Sequence, residues 1–256
     1  MTRQEIWETA LRQSAADLGC EAGDFLRPEP RVVLSRPDAR ARKYLQLPFS
    51  VEIVSYGSCA VASVSPEYRE LTERYLAAFP PEHCFETPNL HVLNEGLAPL
   101  GQKVCFMAEY FLPEPALLRT LPCALPLRIL GREDFKSLYL PQWSNALCEK
   151  RRELDVLGVG AYDGEKLVGF AGCSADCEDM WQIGVDVLPE YRRQGIACAV
   201  TSRLALEILE RGKVPFYCAA WSNLASVRNA ICCGFRPAWA ELSARPAADV
   251  DEMNGR

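Results

Sequence analysis

Two arginines and a glycine follow a proline in the stretch LPEYRRQGIACAV, residues 188–200. The apolar residues directly after Gly195 indicate that a helix begins there. The first N–H groups of a helix lack partners within the helix, and its dipole favours an anion at that end. Glycine has no Cβ, so a phosphate could approach the main chain closely. On this stretch alone, a phosphate-binding turn and an ordinary strand-to-helix connection are both open.

The helix after the turn is predicted from its apolar spacing. Apolar residues recur at every fourth position: Ile196, Val200, Leu204 and Ile208. Gly212 stands where the C-terminus of a helix commonly takes a positive φ. We therefore expect a helix over residues 194–212, with Arg192 and Arg193 beside its N-terminus.

A second motif follows in WSNLASVRNAICCGF, residues 221–235. Ser222 or Asn223 is of the type that caps a helix N-terminus, and Gly234 is of the type that ends one. The expected inner face of this short helix carries Leu224, Val227 and Ile231. A cap is the plain role of Asn223, and ligand contact would be a second one.

Strands and helices alternate around these motifs. We expect a strand at 125–130, one or two helices in 132–153 broken near Pro141, and a hairpin at 156–175 with Asp163 and Gly164 in its turn. Strands are expected at 179–188, 214–221 and 235–242.

The first half of the chain differs in texture. It predicts helices at 5–18, 66–79 and 90–101, and strands at 31–35, in 49–65 and at 103–113. The proline-rich stretch 112–126 is the expected boundary. We therefore expect an N-terminal α/β region over 1–123, a second domain over 124–245, and a frayed polar tail over 246–256.

Charge and composition exclude several classes of protein. Of the 256 residues, 28 are basic and 34 acidic, for a net charge of −6. No basic block is present, so nucleic-acid binding through a charged patch is not expected. The charged N-terminus and the absence of a long apolar run predict no signal peptide, no membrane partner and a cytoplasmic location.

The 12 cysteines do not form a metal-binding pattern. Cys173 and Cys177, and the adjacent Cys232 and Cys233, lack the spacing of a zinc framework, and His83 and His91 are far away in sequence. We expect reduced thiols, mostly buried, and no metal.

The two motifs together resemble a known superfamily. Arg192-x-x-Gly195-x-Ala197 resembles the Q/R-x-x-G-x-G/A signature of the GCN5-related N-acetyltransferases (GNAT). Asn223 and Ser226, followed by Gly234 and Phe235, resemble its later motif. The similarity covers residues 124–245, where the order of predicted elements also agrees.

The resemblance implies an α/β (α+β) fold with a mixed, mostly antiparallel, splayed sheet flanked by helices. The N-terminal α/β extension is similar to that of a bacterial acetyltransferase subgroup with an extra N-terminal region. That region could supply the acceptor pocket, be a degenerate copy of the fold, or mediate dimerisation, and the sequence leaves these open.

The resemblance also implies an acetyl-CoA site. The strand end would bind the pantetheine arm, with a main-chain N–H near Val185 at the thioester oxygen. The turn would hold the pyrophosphate. The residues implied are Val185, Asp186, Val187, Arg192, Arg193, Gln194, Gly195, Ile196, Ala197, Cys198, Asn223 and Ser226.

The family's catalytic side chains are missing. Many members have a tyrosine four residues before the later glycine, where this chain has Ala230, and one branch has a glutamate where this chain has Trp181. The catalytic residues therefore stay unassigned. The candidates for a base are Glu109, Tyr110, Glu178, Asp179 and Asp186.

The resemblance implies an acyl-CoA-dependent N-acyltransferase that moves an acetyl group to a primary amine, on a small molecule or a peptide, by direct transfer in a ternary complex. The alternative is a non-catalytic CoA-binding sensor or scaffold, which the missing side chains favour. A plain interaction domain is a third reading, against which the second motif speaks. The acceptor, the acyl length and the oligomeric state, including a homodimer, are left open.

Overall fold

Helices and strands alternate along most of the chain. The computed structural model describes residues 1–255. Its α-helices are α1 (Arg3–Leu18), α2 (Arg69–Ala78), α3 (Thr87–Leu97), α4 (Ile196–Glu210), α5 (Leu224–Cys232) and α6 (Ala247–Met253). Its strands are β1 (Arg31–Leu34), β2 (Val51–Ser55), β3 (Ala60–Val64), β4 (Gln102–Pro113), β5 (Leu127–Gly131), β6 (Asp155–Asp163), β7 (Lys166–Ser174), β8 (Met180–Val187), β9 (Val214–Ala219) and β10 (Phe235–Pro246).

The chain divides into two compact units. The first contains Met1–Thr9 and Phe111–Pro237, and the second contains Ala10–Tyr110 and the residues from Ala238 onward. These boundaries fall inside α1, β4 and β10, whereas the sequence predicts boundaries at 123 and 245. The proline-rich stretch is not a linker, because the Leu121 N–H donates to Ser202 Oγ at 3.3 Å and Leu121 packs on the core of the first unit.

The first unit is built on a sheet in the order β9-β8-β7-β6-β5. Neighbouring strands are antiparallel except β8 and β9, which are parallel. The β6–β7 hairpin turns at Gly164, with φ of +58°, as its Asp-Gly sequence predicts. With the helices that flank it, this sheet confirms the predicted mixed, mostly antiparallel α/β fold.

Helix α4 packs on one face of this sheet through the predicted residues. Ile196, Val200, Leu204 and Ile208 are all buried in one core cluster with residues of β6 to β9. Gly212 takes φ of +71° directly after the helix, which confirms its expected role.

The opposite face of the sheet is covered without an α-helix. The predicted helices in 132–153 are instead three 3-10 helices, Asp134–Ser137, Pro141–Trp143 and Glu149–Leu154, and the last is interrupted at Arg151, where φ is −141°. Proline prevents a helix from continuing through 141. The segment still packs, because Phe135, Trp143 and Leu147 are buried with Phe170.

The second unit has the strand order β1-β3-β2-β10-β4 and a core of its own, which includes residues of α2 and α3. A buried ion cluster lies in this unit. The Arg42 guanidinium contacts Asp17 at 2.5 Å and Glu241 at 2.6 Å. Buried charges of opposite sign are paired here, as burial requires.

The C-terminal tail was predicted to be frayed, but the structure shows it folded as a helix. Residues 247–253 form α6, whose Ala247 N–H donates to the Gly101 carbonyl at 2.8 Å, and Asp251 pairs with Lys103 at 2.5 Å. The last residue of the predicted tail, Arg256, lies outside the described residues. None of the helices within 1–255 combines the length and apolar character that crossing a bilayer requires.

Candidate functional site

A cavity of about 320 Å³ lies between the first turn of α4 and one face of α5, within the first unit. Seven of the residues predicted from the basic turn, the helix start and the strand before them line this cavity: Val187, Arg192, Arg193, Gly195, Ile196, Ala197 and Cys198. The other lining residues are Tyr191, Ala225, Arg228, Asn229 and Cys232.

The N-terminus of α4 opens onto the cavity without a side-chain cap. Gly195 is the N-cap residue, with φ of +79°, and no side chain accepts from the first turn. The N–H groups at the start of the helix lack partners within it, so they are available to an anion. Ile196 seats this turn on the sheet at Gly169, where a Cβ would lie 2.3 Å from Ile196 Cγ2.

Side chains hold the basic turn in place. Tyr191 Oη donates to Asp163 at 2.8 Å, and Lys166 pairs with Glu190 at 3.0 Å, which ties the turn to the β6–β7 hairpin. Arg192 Nε donates to the Val187 carbonyl at 3.1 Å. Arg193 takes φ of +62°, the one positive φ of a residue other than glycine within 1–255.

The C-terminal half of β8 has an open edge. The parallel ladder between β8 and β9 runs from Met180 with Val214 to Ile183 with Tyr217, and β8 continues to Val187. The Val214 N–H donates to Asp179 and the Leu188 N–H to Val168. Successive backbone N–H groups of a strand point to opposite sides, and that of Leu188 points to β7. The N–H groups of Val185 and Val187 therefore point away from β7, to the edge of β8 where pairing with β9 has ended.

Helix α5 presents the face opposite to its core residues to the cavity. Val227, Ala230 and Cys233 pack in the core, whereas Leu224 is 55% and Ile231 46% exposed, so the predicted inner face is wrong for those two residues. The face that lines the cavity has helical spacing: Ala225, Arg228, Asn229 and Cys232.

The second motif is ordered by two contacts. Asn223 Oδ1 accepts from the Ser226 N–H at 3.2 Å, so Asn223 is the N-cap of α5. Ser226 Oγ lies 2.7 Å from Tyr217 Oη, on the strand where the β8–β9 ladder ends. Neither Asn223 nor Ser226 is among the residues that line the cavity.

Positive charge surrounds the cavity. Arg192, Arg193 and Arg228 line it, and within residues 1–255 none of the three is paired with a carboxylate. Sequence reasoning missed Arg228. The helical spacing of Ala225, Arg228 and Cys232 predicts that they share one face of α5. It does not predict that this face lies beside the first turn of α4. Such unpaired guanidinium groups suit a phosphate ligand.

A sequence comparison decides the family. The model of the family described as GNAT acetyltransferase matches residues 109–238, just over half of the chain. The chain belongs to the GNAT acetyltransferase family. The match contains all of the cavity-lining residues, and the family indicates acyltransferase chemistry with an acyl-CoA donor.

Solved structures of GNAT proteins are similar to this chain. A GCN5-related N-acetyltransferase-like protein of Streptococcus suis is 22% identical, with a TM-score of 0.45 over 62% of this chain and 69% of its own. A GNAT-family acetyltransferase of Colwellia psychrerythraea is 17% identical, with a TM-score of 0.45 over 72% and 76%. The yncA protein of Salmonella typhimurium, solved with its cofactor acetyl-CoA, is 17% identical, with a TM-score of 0.35 over 48% and 94%. No curated protein sequence matches the chain.

At the two positions where this GNAT chain lacks the family's catalytic tyrosine and glutamate, it has core residues. Ala230 is buried, and Trp181 packs against the same core cluster. Among the residues that line the cavity there is no aspartate or glutamate.

The candidate bases lie away from this cavity or are already engaged. Asp186 accepts from the backbone N–H groups of Asn145 and Ala146, at 2.9 and 3.0 Å. Glu178 and Asp179 are exposed just before the other end of β8, seven and six residues from Val185, or about 20 Å along an extended strand. Burial raises the pKa of Glu109, which belongs to the second unit, as does Tyr110.

The cysteines within 1–255 form no disulfide, and no group of three or more His, Cys, Asp or Glu side chains in that range is placed to hold a metal ion. Cys198 is the exception among the cysteines whose pKa is shifted. Hydrogen bonding by the Cys233 and Cys232 side chains lowers the pKa of Cys198 to about 6. Burial raises the pKa of Cys173 and Cys84.

Proposed function

We propose that this GNAT chain is an acyl-CoA-dependent N-acyltransferase that transfers an acetyl group from acetyl-CoA to a primary amine. One observation carries the proposal. The uncapped N-terminus of α4 and the last residue of the open β8 edge, Val187, line one cavity with three arginines that are not paired with a carboxylate within 1–255. This arrangement offers backbone donors and positive charge to a diphosphate, next to a strand edge that can bind an extended arm.

The pyrophosphate would lie at the first turn of α4. The N–H groups of Ile196, Ala197 and Cys198 would donate to it, and Arg193 and Arg228 would neutralise its charge. Gly195 fits this use as well, because a Cβ there would meet no heavy atom within 4 Å.

The pantetheine arm would add to the free edge of β8. The N–H groups of Val185 and Val187 point to that side, whereas the Val187 carbonyl already accepts from Arg192. The Val185 N–H would then donate to the thioester oxygen, where negative charge develops as the amine attacks. Asn223 and Ser226 would contact the arm from α5.

Direct transfer needs a neutral amine and a stable leaving group. A thiolate leaves without obligatory protonation, because the unperturbed pKa of a thiol is only about 8.5. The missing tyrosine therefore does not exclude catalysis. The base stays unassigned, and a water molecule could serve.

The reaction would take place in the cytoplasm, where the twelve cysteine thiols stay reduced. The acceptor would be a small-molecule or peptide amine. A non-catalytic CoA-binding sensor or scaffold is the second candidate. The observation that favours it is the absence of a carboxylate among the cavity-lining residues.

The binding step is tested at Ala197, which lines the cavity in the first turn of α4. Glutamate there suits the helix dipole, so the fold should persist, but its charge would repel the pyrophosphate. Glutamine is the matched control of similar size without charge. By calorimetry we expect acetyl-CoA to bind the wild type, to bind Ala197→Gln more weakly, and not to bind Ala197→Glu. Equal affinity of Ala197→Glu and Ala197→Gln would contradict the site.

The catalytic step is tested by thiol release. The wild type is incubated with acetyl-CoA and a panel of primary amines, and free CoA thiol is measured. We expect at least one amine to raise release above the rate without protein. Binding of acetyl-CoA with no release for any amine would favour the sensor or scaffold.

A further inference from the structure

Another cavity, of about 580 Å³, lies within the second unit. It is lined by the segment before β2, by strand β4, and by the end of β10 with α6. None of the residues 1–255 lines both this cavity and the one at α4. Its volume lies within the range of small-molecule sites, and its walls carry two aromatic rings, one arginine and two carboxylates.

We propose that this cavity binds an α-amino acid with an apolar side chain. Arg245 would hold the carboxylate of the ligand, and Asp249 and Glu252 would hold its ammonium group. The rings of Tyr44 and Phe106 would contact its side chain. This binding concerns the second unit alone and does not rest on the proposed function.

Three charged side chains line the cavity: Arg245, Asp249 and Glu252. Among residues 1–255, none of the three forms an ion pair. The neighbouring Asp251 does not line the cavity and is paired with Lys103 at 2.5 Å. The charges on the cavity walls are therefore open to a ligand, whereas the charge beside them is neutralised.

Helix α6 places the two carboxylates together. Asp249 and Glu252 are three positions apart, so they are neighbours on the helix surface. The helix is held at its start, where the Ala247 N–H donates to the Gly101 carbonyl at 2.8 Å. Arg245 lies at the end of β10, four positions before Asp249. Groups of opposite charge thus line one cavity at the junction of a strand and a helix.

Arg245 is half-buried and is oriented by a hydrogen bond from its Nη1 to Gln46 Oε1 at 2.7 Å. Glu52 lies on the same face of the sheet, because it is opposite Ser243 in the β2–β10 ladder and side chains alternate along a strand. Burial and the charge of Glu241 raise the pKa of Glu52 well above its usual range, which favours its neutral form. The positive charge of Arg245 is therefore available to an anionic group.

Two rings supply apolar walls. Phe106 on β4 is 56% exposed, although it is a large apolar side chain, and Met253 beside the cavity is 60% exposed. The Tyr44 ring is held in place by Arg42, whose guanidinium carbon lies 5.4 Å from the ring centre and whose Nη1 donates to Tyr44 Oη at 2.7 Å. An apolar side chain would cover Phe106, and an ammonium group is attracted to the face of an aromatic ring.

The mixture of charges narrows the class of ligand. A phosphate or a simple carboxylate would be attracted by Arg245 but repelled by two carboxylates. A simple amine would be attracted by the carboxylates but would meet the like charge of Arg245. A molecule with both an ammonium and a carboxylate group gives every one of these side chains a charge-assisted hydrogen bond. An α-amino acid has both groups beside a side chain that can contact the rings.

Binding is tested by calorimetry on the full chain without CoA. L-phenylalanine is the probe, L-phenylalaninamide lacks its carboxylate, and N-acetyl-L-phenylalanine lacks its ammonium group. We expect L-phenylalanine to bind, and each analogue to bind at least about tenfold more weakly, because each loses a hydrogen bond between charged groups. No binding of L-phenylalanine at millimolar concentration, or equal affinity for either analogue, would overturn the proposal.

Variants locate the site. Arg245→Gln should weaken binding of L-phenylalanine at least about tenfold, and Glu252→Gln about threefold, because one carboxylate remains. Phe106→Ala removes an exposed ring, so the fold should persist while binding weakens. The matched controls are Arg36→Gln and Glu95→Gln, which change exposed residues of the second unit outside the cavity and should leave Kd unchanged. Wild-type Kd in all three site variants would overturn the site.

The two cavities are tested independently. Ala197→Glu should leave the binding of L-phenylalanine unchanged, since Ala197 lines only the cavity at α4. Loss of L-phenylalanine binding in that variant would mean that the amino acid occupies the cavity at α4, and would overturn the proposal. If the wild type binds no acetyl-CoA but binds L-phenylalanine with the expected response to Arg245→Gln, the proposed function fails and the amino-acid site is supported.

Discussion

Gly195 has two reasons to be glycine. Its φ of +79° is a conformation that other residues adopt at a cost, and the direction of its missing Cβ is open. The sequence motif indicates only the second reason, close approach of a phosphate. A charged residue at 195 would therefore strain the backbone and repel the ligand at once. Ala197, which is helical and lines the same cavity, separates the two effects.

Tyr217 is predicted to position Ser226 rather than to donate the proton in catalysis. Its side chain is 3% exposed, its hydroxyl lies 2.7 Å from Ser226 Oγ, and burial raises its pKa. Tyr217→Phe should raise KM for acetyl-CoA about two- to tenfold with little change in kcat, as loss of one hydrogen bond of about 0.5–1.5 kcal/mol allows. Steady-state kinetics with both substrates measure this. A fall in kcat of a hundredfold at constant KM would instead identify a proton donor.

Some residues of the site could be predicted from the sequence alone, and others could not. Arg192 to Cys198 are contiguous, so one turn and one helix start predict them together. Arg228 and Tyr217 belong to other elements and reach the site only through the packing of α5 and β9.

At the level of elements, regular and long helices were predictable. Helix α4 has 15 residues and an unbroken four-residue apolar repeat, so the helix and its buried face are confirmed, although it runs from Ile196 to Glu210 rather than over 194–212. Helix α5 has only 9 residues, and besides the predicted Val227 its core contacts come from Ala230 and from Cys233 directly after the helix, which hydrophobicity alone does not single out. The segment 132–153 follows helical composition, but Pro141 and the backbone at Arg151 break it into 3-10 turns.

The loop at 145–146 is predicted to depend on a glycine of β8. A Cβ at Gly184 would lie 1.8 Å from the Asn145 carbonyl oxygen, and Asp186 binds the N–H groups of the same loop. Gly184→Ala should lower the free energy of unfolding by about 1–3 kcal/mol, the usual cost of overpacking. Gly131→Ala is the control, since nothing lies within 4 Å of a Cβ there, and it should be close to neutral. Urea denaturation compares them, and equal midpoints would contradict close packing of the loop.

At the level of the whole molecule, the sequence predicts boundaries at 123 and 245, whereas the chain divides into compact units inside α1, β4 and β10. A proline-rich stretch commonly marks a linker, yet here it packs on the core through Leu118 and Leu121. Neither unit is one continuous stretch of sequence. Met1–Thr9 belongs to the first unit with Phe111–Pro237, and the residues from Ala238 onward belong to the second with Ala10–Tyr110. The assignment of a terminal segment to a unit depends on contacts between residues far apart in sequence, which local sequence patterns do not predict. The role of the N-terminal region remains a prediction with its three alternatives.

Ligand binding should stabilise the whole chain by mass action. A ligand that binds only the folded state at a hundredfold excess over Kd adds about 2.7 kcal/mol, and a chain of this size should respond with a rise in Tm of roughly 5–10 °C. Ala197→Glu should show no rise at the same acetyl-CoA concentration, and Ala197→Gln a smaller one than the wild type. Differential scanning fluorimetry measures all three.

Hydrogen exchange should locate that stabilisation. Amides of residues 185–198 and 223–232 should exchange more slowly with acetyl-CoA, because they line or neighbour the cavity. Amides around the buried Arg42 cluster, in the second unit, should change least. A rise in Tm without protection at 185–198 would mean that acetyl-CoA binds elsewhere, and no rise at millimolar acetyl-CoA would remove the basis for an acyl-CoA site at this turn.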